Sequence, residues 1–325
     1  MLPGIEDSSR TPVVSILIAN WNGQHVLRDC LRSLAERTRG IEYEIIVVDD
    51  ASTDRSVEMV RSEFPSVHLV ARTVNGGFVK TNNDGVSAAR GKNVLLLNSD
   101  TLLLNNVVKI LSDYLDEHPE VGVCGGWLRN PDGSSQVSFG HAPSFLQALT
   151  DAFFLNDLFP SVGFPNRGVL PRPGWTSPRS VEYITGADLM IRRSLVERFG
   201  LFDELYEAYC EEVDLCRRVR IAGGLDVHFV PEAHIVHLGG FSYGKRGERH
   251  VQMQYISYQK YLTKHHGQFY ALLVRLLYAW HYLVKGAVRT ARLVTAPRTQ
   301  REGRKKETLA AWYHVRYSIR PHSRA

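Results

Sequence analysis

Glu44-Ile45-Ile46-Val47-Val48-Asp49-Asp50-Ala51-Ser52-Thr53-Asp54 is the stretch on which the fold turns. The branched aliphatic run after Glu44 shows no polar alternation, so it reads as a strand buried on both faces, as in a parallel sheet. It stops abruptly in small and acidic residues, the composition of a loop. Working back, Val13-Val14-Ser15-Ile16-Leu17-Ile18-Ala19 is a second run of the same kind, ending at the turn Asn20-Trp21-Asn22-Gly23. Between them Val26, Leu27, Cys30, Leu31 and Leu34 recur at helical spacing, which predicts a helix over 25–37. Working forward, the pattern predicts a helix over 56–63 that ends before Pro65 and a strand over 67–70. A helix over 81–90 and a strand over 94–97 follow, the strand stopping at Asn98-Ser99-Asp100. This β-α-β-α alternation predicts an α/β fold, a mostly parallel sheet flanked by helices. Residues 131–180, rich in Pro, Gly, Ser and aromatics, are expected to be loops and short elements that cover the sheet as an acceptor-side lid. A helix starting near Glu211 and two short strands, 227–230 and 235–237, complete this part.

The chain has 325 residues, 44% of them hydrophobic, enough for a sizeable core and incompatible with a disordered chain. Its net charge of +5 conceals a division: the first 240 residues hold 22 basic and 31 acidic residues, the last 85 hold 17 and three. One end is therefore suited to an anionic surface. The four cysteines have no C-x-x-C spacing, and the polar start of the chain has no apolar signal core. A reducing, cytoplasmic setting is expected.

Ligands of open α/β sheets bind beyond the carboxyl ends of the strands, so the residues there carry the chemistry. The first turn is not G-x-G-x-x-G and no G-x-x-x-x-G-K-[ST] occurs, which disfavours dinucleotide folds and P-loop enzymes. Taken singly, Asp49-Asp50 could be a helix cap and Asn98-Ser99-Asp100 a plain turn. Together at one sheet edge, these acidic and amide residues suit a nucleotide and a divalent cation that neutralises its diphosphate.

With those motifs in hand, residues 13–240 resemble the inverting glycosyltransferases of family 2, closest to the rhamnosyltransferase-like branch. The resemblance implies a GT-A fold. It also implies that Asp49, Asp50, Ser52 and Asp54, with Asn20 and Asn22, line the nucleotide. Asn75-Gly76-Gly77-Phe78 and Asn82-Asn83-Asp84-Gly85 resemble the N-x-G-F…N-N-x-G segment, which assigns Gly77, Phe78, Asn82 and Asn83 to the sugar nucleotide. Leu97-Asn98-Ser99-Asp100-Thr101 stands at the D-x-D metal motif, with Asn98 in place of its first Asp, so Asn98, Ser99 and Asp100 face the donor. Asp100 would carry the metal, Mg or Mn. Gly186-Ala187-Asp188 precedes the acceptor side. Tyr209-Cys210-Glu211-Glu212-Val213-Asp214-Leu215 resembles the E-D-x-D-L motif of the catalytic base, with Glu212 where the family has Asp. Glu212 is the expected base, Glu211 and Asp214 its alternates. The segment from Pro231 to Gly240 resembles the one whose last histidine ligates the metal, here His237. The function implied is transfer of one sugar, rhamnose among the candidates, from a dTDP- or UDP-linked donor to a glycan or lipid-linked saccharide. Q-x-x-R-W of processive members is absent. A nucleotidyltransferase and a non-catalytic sugar-nucleotide-binding subunit are the competing readings.

Three segments are expected: a tail over 1–11, the catalytic domain over 12–240 and a basic helical extension over 241–325. In the extension, Phe269 to Val294 is apolar and aromatic but broken by Arg275, Lys285, Arg289 and Arg292. A membrane span needs about 20 predominantly apolar residues, so an amphipathic helix lying on the inner face of the cell membrane is expected, its Lys and Arg turned to anionic headgroups. No nucleic-acid recognition motif accompanies the charge.

Overall fold

Val14–Asn20 (β1) and Tyr43–Asp49 (β2) pair in parallel, with Val14 opposite Tyr43 and Asn20 opposite Asp49. Every side chain of β2 but one is buried, as a strand covered on both faces requires. Gln24–Arg37 (α1) connects them and buries Leu27, Leu31 and Leu34 on the sheet. The computed structural model describes residues 11–159, 162, 164–239, 248–297 and 300–319. Residues 1–10 of the expected tail, Gly240 of the last motif and 241–247 of the extension lie outside the described residues.

After β2 come Ser56–Glu63 (α2), His68–Ala71 (β3), Gly77–Val86 (α3) and Asn93–Leu97 (β4). Thr101–Leu103 (β5), Val107–Glu117 (α4), Val121–Arg129 (β6) and Phe139–Gly140 (β7) follow. Next are Phe145–Ala152 (α5), Leu155–Leu158 (α6), Arg179–Ser180 (β8), Tyr183–Ile184 (β9) and Asp188–Arg192 (β10). The order closes with Arg193–Phe199 (α7), Glu211–Ile221 (α8), Asp226–His237 (β11), Glu248–His266 (α9), Gln268–Val294 (α10) and Arg301–Ile319 (α11). The described residues form two compact units. One takes 11–141, 168–207 and 211–239; the other takes 142–159, 162, 164–167, 208–210, 248–297 and 300–319.

The first unit is built on a nine-stranded sheet of order β3-β2-β1-β4-β10-β6-β11-β5, with β8 beside β11. Strands β3, β2, β1 and β4 are parallel; β10 runs antiparallel to both β4 and β6, and β5 antiparallel to β11. The core holds Ile16, Ile18, Ile45, Val47, Leu95, Leu111 and Met190, none more than 1% exposed. Each such side chain contributes about 1.5–3 kcal/mol on burial. Two expectations shift here. Helix α3 spans Gly77–Val86 rather than 81–90, because the Asp50 carboxylate holds the Gly76 and Gly77 amides and nucleates the helix there. The two strands expected over 227–237 are one, β11, whose register against β6 slips between Phe229 and His234. Pro231 lies in that slip, where a missing N–H costs no ladder bond.

The second unit is helical. Of the segment expected as a lid over the sheet, residues 142–159, 162 and 164–167 belong to this unit with the C-terminal helices and supply α5 and α6. The Phe145 amide donates to Tyr270 Oη (2.6 Å), the Tyr278 hydroxyl to Asp151 (3.0 Å), and His281 Nδ1 to the Asp151 carbonyl (2.6 Å). The Arg167 guanidinium lies over the rings of Tyr258 (4.4 Å) and Tyr278 (4.9 Å). Tyr282 stacks on His314 of α11 at 4.0 Å. Three of the basic side chains of α10, Arg275, Lys285 and Arg289, are half-buried rather than turned outward as expected, while Arg292 is exposed. Arg275 Nε donates to the Ser318 carbonyl (2.6 Å) and Arg289 to that of Glu307 (2.8 Å), so α11 receives them. Among the described residues no helix is long and apolar enough to cross a membrane.

Candidate active site

The carboxyl ends of β1, β2 and β4 lie side by side, and the loops leaving them are tied together by short side chains. Asn20 Nδ2 donates to Asp49 Oδ2 (2.9 Å), and Ser52 donates to Asp49 from both its amide (2.9 Å) and its hydroxyl (2.7 Å). The Asn22 amide donates to Ser52 Oγ (2.8 Å), while Asn22 Oδ1 accepts from the amide of Thr53 (2.7 Å). Asp54 accepts from the amides of Gln24 (3.0 Å) and Ser56 (2.9 Å), capping α2. Asn22 and Ala51 are both held at positive φ, 51° and 58°. Such backbone is costly for non-glycine residues and persists where surrounding bonds over-determine it. At Gly23 a Cβ would stand 2.7 Å from Asn20 Oδ1, so glycine is required for the turn to close on Asn20.

Asp50 is 4% exposed and grips the amides of Gly76 (2.8 Å) and Gly77 (2.9 Å), with Arg72 Nε at 3.2 Å. It thereby joins the nucleotide-motif loop to the start of α3, where Gly77 sits at φ 80°. Phe78 packs near Phe202 (6.0 Å). Asn82 donates to the Phe78 carbonyl (2.8 Å), and Asn83 makes a two-way bond with the Phe202 backbone (2.9 and 3.0 Å). These two asparagines shape the α3 wall through bonds to backbone.

Asp100 follows β4, and the antiparallel pairing of β5 with β11 sets His237 opposite Thr101. His237 Nε2 comes within 3.2 Å of Asp100 Oδ1 and 3.4 Å of Asn98 Nδ2. The other ring nitrogen is committed: Nδ1 lies 2.6 Å from Gln136 Oε1. Gln136 is itself oriented, its Nε2 donating to Asn130 Oδ1 (2.9 Å) and to the His237 carbonyl (3.2 Å). Its oxygen therefore faces Nδ1, which must carry the proton. Nε2 is left facing the Asp100 carboxylate, and a metal-ligating histidine commonly has its other ring nitrogen held by such a supporting partner. Among the described residues no cluster of three or more metal-binding side chains occurs. Two protein ligands suit an ion that takes its remaining oxygens from a diphosphate. Gln136 and Asn130 escaped the sequence reading because no motif marks them and they reach His237 only through the fold.

The third group lies at the start of α8. Tyr209 and Cys210 are consecutive residues at φ 67°. The unusual turn delivers Glu211 and Glu212 into the first helical turn. Glu212 Cβ lies 3.8 Å from where a Cβ of Gly186 would stand, and the next residue's carbonyl, that of Ala187, accepts from the Asn98 amide (3.0 Å). One short segment thus connects the Asn98–Asp100 turn to Glu212. The Oε2 atoms of Glu211 and Glu212 are buried without a hydrogen-bond partner among the described residues. A helix N-terminus by itself favours the charged form of a carboxylate. Burial outweighs it: desolvation pushes Glu212 up to about 7 against the pull of backbone amides, and raises Glu211 well above its ordinary value, with Glu212's charge adding to the rise. Asp214, one of the expected alternates, is 0% exposed and taken by Arg218 (2.8 Å) and the Tyr206 hydroxyl (3.3 Å). Arg218 also donates to the carbonyls of Phe199, Gly200 and Leu201, so this pair fastens α8. Asp188 is likewise fully buried, its Oδ2 bonded to the Gly126 amide (2.6 Å), and desolvation raises its pKa well above the ordinary carboxylate value against that bond.

A sheet with its parallel half ending in amide and carboxylate loops, a His–Asp pair beyond one strand and a pair of neighbouring carboxylates at a helix start is the architecture of the GT-A fold. Solved structures share the fold. A mannosyltransferase from Pyrobaculum calidifontis, in complex with GDP-Man and Mn2+, superposes with TM-score 0.56 at 17% identity, over 96% of this chain and 88% of that one. TarS residues 1–349 of S. aureus, in complex with UDP-GlcNAc, gives 0.50 at 16% identity over 92% and 81%. Residues 15–170 match the model for glycosyl transferase family 2. The chain is 27% identical over 310 residues to the N-acetylglucosaminyl-diphospho-decaprenol L-rhamnosyltransferase of Mycobacterium tuberculosis, covering 87% of this chain and 96% of the relative. Residues 15–170 thus carry a glycosyl transferase family 2 domain, and the chain over most of its length is similar to a rhamnosyltransferase.

Proposed function

We propose that the enzyme inverts configuration, moving one L-rhamnosyl unit from dTDP-rhamnose to a lipid-linked N-acetylglucosaminyl diphosphate in cell-surface polysaccharide synthesis. The similarity to the mycobacterial rhamnosyltransferase across nearly the whole relative supports the rhamnosyl unit and the acceptor. One structural observation carries the mechanism: two neighbouring carboxylates at the start of α8, each with a buried Oε2 that has no hydrogen-bond partner among the described residues, joined through Gly186 and Ala187 to the Asn98–Asp100 turn. The acceptor oxygen attacks the anomeric carbon as the bond from that carbon to the diphosphate oxygen breaks. Glu212 takes the hydroxyl proton, and a value of about 7 matches a base working near neutrality. Glu211 is raised well above its ordinary value by burial and by the charge of Glu212, which opposes a second negative charge in the pair. The loop from Asp49 to Asp54, with Asn20 and Asn22, would receive the base and ribose, and the α3 start at Gly77 and Phe78 the sugar. Asp100 and His237 would hold a divalent ion, Mg or Mn, which offsets charge on the departing diphosphate.

Residues 12–240 would form the catalytic part and 241–325 an extension that brings it to the inner, anionic face of the cell membrane, where a lipid-linked acceptor lies. A thermal-shift screen of dTDP-rhamnose, UDP-GlcNAc, UDP-glucose and GDP-mannose with Mn2+ tests the donor, because a bound ligand stabilises the fold by mass action. The dTDP donor should give the largest rise. A larger rise with a UDP or GDP sugar would reassign the donor.

A further inference from the structure

Helix α10 is turned inside out for a water-soluble helix. Its exposed positions Phe269, Leu272, Leu276, Trp280, Leu283 and Val294 recur at steps of three, four and then eleven residues, which is one face. Phe269 is 74% exposed, Leu276 58% and Trp280 52%. From Phe269 to Ala291 no exposed position of α10 is charged. Its basic residues in that span, Arg275, Lys285 and Arg289, are half-buried, and two of them donate to carbonyls of α11. The opposite face is used up by α5, α9 and α11 through Tyr270, Tyr278 and Tyr282. An apolar stripe reaching from Phe269 to Val294 spans about 38 Å at the α-helical rise, far more than the scattered apolar residues of an ordinary surface.

We propose that this face of α10 is a membrane-docking surface that enters the headgroup and acyl boundary of an anionic bilayer side-on. The proposal rests on the reading of the chain as a membrane-associated enzyme and changes how it attaches: apolar insertion leads, and charge assists. Charge also selects the occupant. Segments 142–167, 208–210 and 243–325 carry 18 Lys and Arg against five Asp and Glu. A second copy seated on the same face would bring two such units together, whereas anionic lipid neutralises them. Lys264 and His266, at the end of α9, and Lys305 and Lys306 on α11 are exposed to meet headgroups.

The test uses the full chain with vesicles of phosphatidylcholine alone or mixed with phosphatidylglycerol. Wild type should sediment with the mixed vesicles and keep most of its binding at about 1 M salt, where surface charge is screened. Leu276→Glu with Leu283→Glu, both exposed positions, should lower the partition coefficient at least tenfold with an unchanged melting temperature. Brominated acyl chains should quench the fluorescence of wild type, and Trp280→Phe should lose most of that quenching. If the double variant binds as well as wild type and salt releases both, attachment is electrostatic and this face is not its seat, although membrane association stands. If wild type binds neither vesicle, the docking proposal fails. A concentration-dependent dimer abolished by the double variant would give the face to a second copy instead. Transfer to a short-chain, water-soluble acceptor should be equal in wild type and variant, and its absence in both would count against the proposed reaction rather than against this surface.

Discussion

Glu212 answers to opposed demands. A proton acceptor for a hydroxyl works best with its pKa near the operating pH, and burial supplies that at a cost in stability. Transfer should therefore fall away below about pH 7, as the carboxylate protonates, and level off above it. Glu212→Gln should lower the turnover by about 10²–10⁴-fold, the range for a general base. Stability moves the other way. Because the folded pKa lies above the unfolded one, the native state binds the proton more tightly, so stability is lost as pH rises from about 4.5 to 7. Glu212→Gln should recover up to about 3 kcal/mol above pH 7, measured by urea denaturation at pH 5 and 8; equal gains at both would contradict burial as the cause. Gln136 acts one bond further out. Gln136→Leu frees the His237 ring and should weaken Mn2+ affinity, with donor present, by roughly 10–100-fold, while Asn130→Leu has a smaller effect in the same direction. Titration calorimetry reads both. The aspartate-to-glutamate exchange at Glu212 keeps a carboxylate on a side chain whose Cβ packs near Gly186, which disfavours the non-catalytic reading.

Among the elements, the strand ends were the most legible. The apolar runs before Asp49 and Asn98 have no polar alternation, and a strand covered on both faces is the one structure they suit. What the pattern missed was tertiary. Nothing in Asn75-Gly76-Gly77 announces a helix start until Asp50 closes on the two amides, so α3 begins earlier than its apolar spacing implies. Asp50→Ala would leave those amides and Arg72 without their carboxylate and should cost about 3–5 kcal/mol, the loss from breaking a buried pair. A melting curve and hydrogen exchange at Gly76 and Gly77 check this, and unchanged protection there would contradict it. Asp214 shows the converse error. Its place in an acidic motif suggested chemistry, but Arg218 four residues on takes its carboxylate. The basic residues of α10 misled for a similar reason: composition tells that Lys and Arg are present, and only the packing of α11 tells which way they face.

At the scale of the whole molecule, the division of charge between the first 240 residues and the last 85 was readable by counting alone. The share of 142–167 in the helical unit was not, because long-range contacts such as Asp151 with Tyr278 and His281 leave no trace in local periodicity. Nor does a sequence show which of many acidic residues converge. The Asp100–His237 approach depends on β5 pairing with β11 across more than a hundred residues. The account stands or falls on the reaction itself. Wild-type protein given dTDP-rhamnose, Mn2+ and an N-acetylglucosaminyl-diphospho-polyprenol should form a single rhamnosyl product whose anomeric configuration, read by NMR, is opposite to the donor's. Glu212→Gln should form almost none. A product that retains the donor's configuration, or full transfer by Glu212→Gln, would contradict the account.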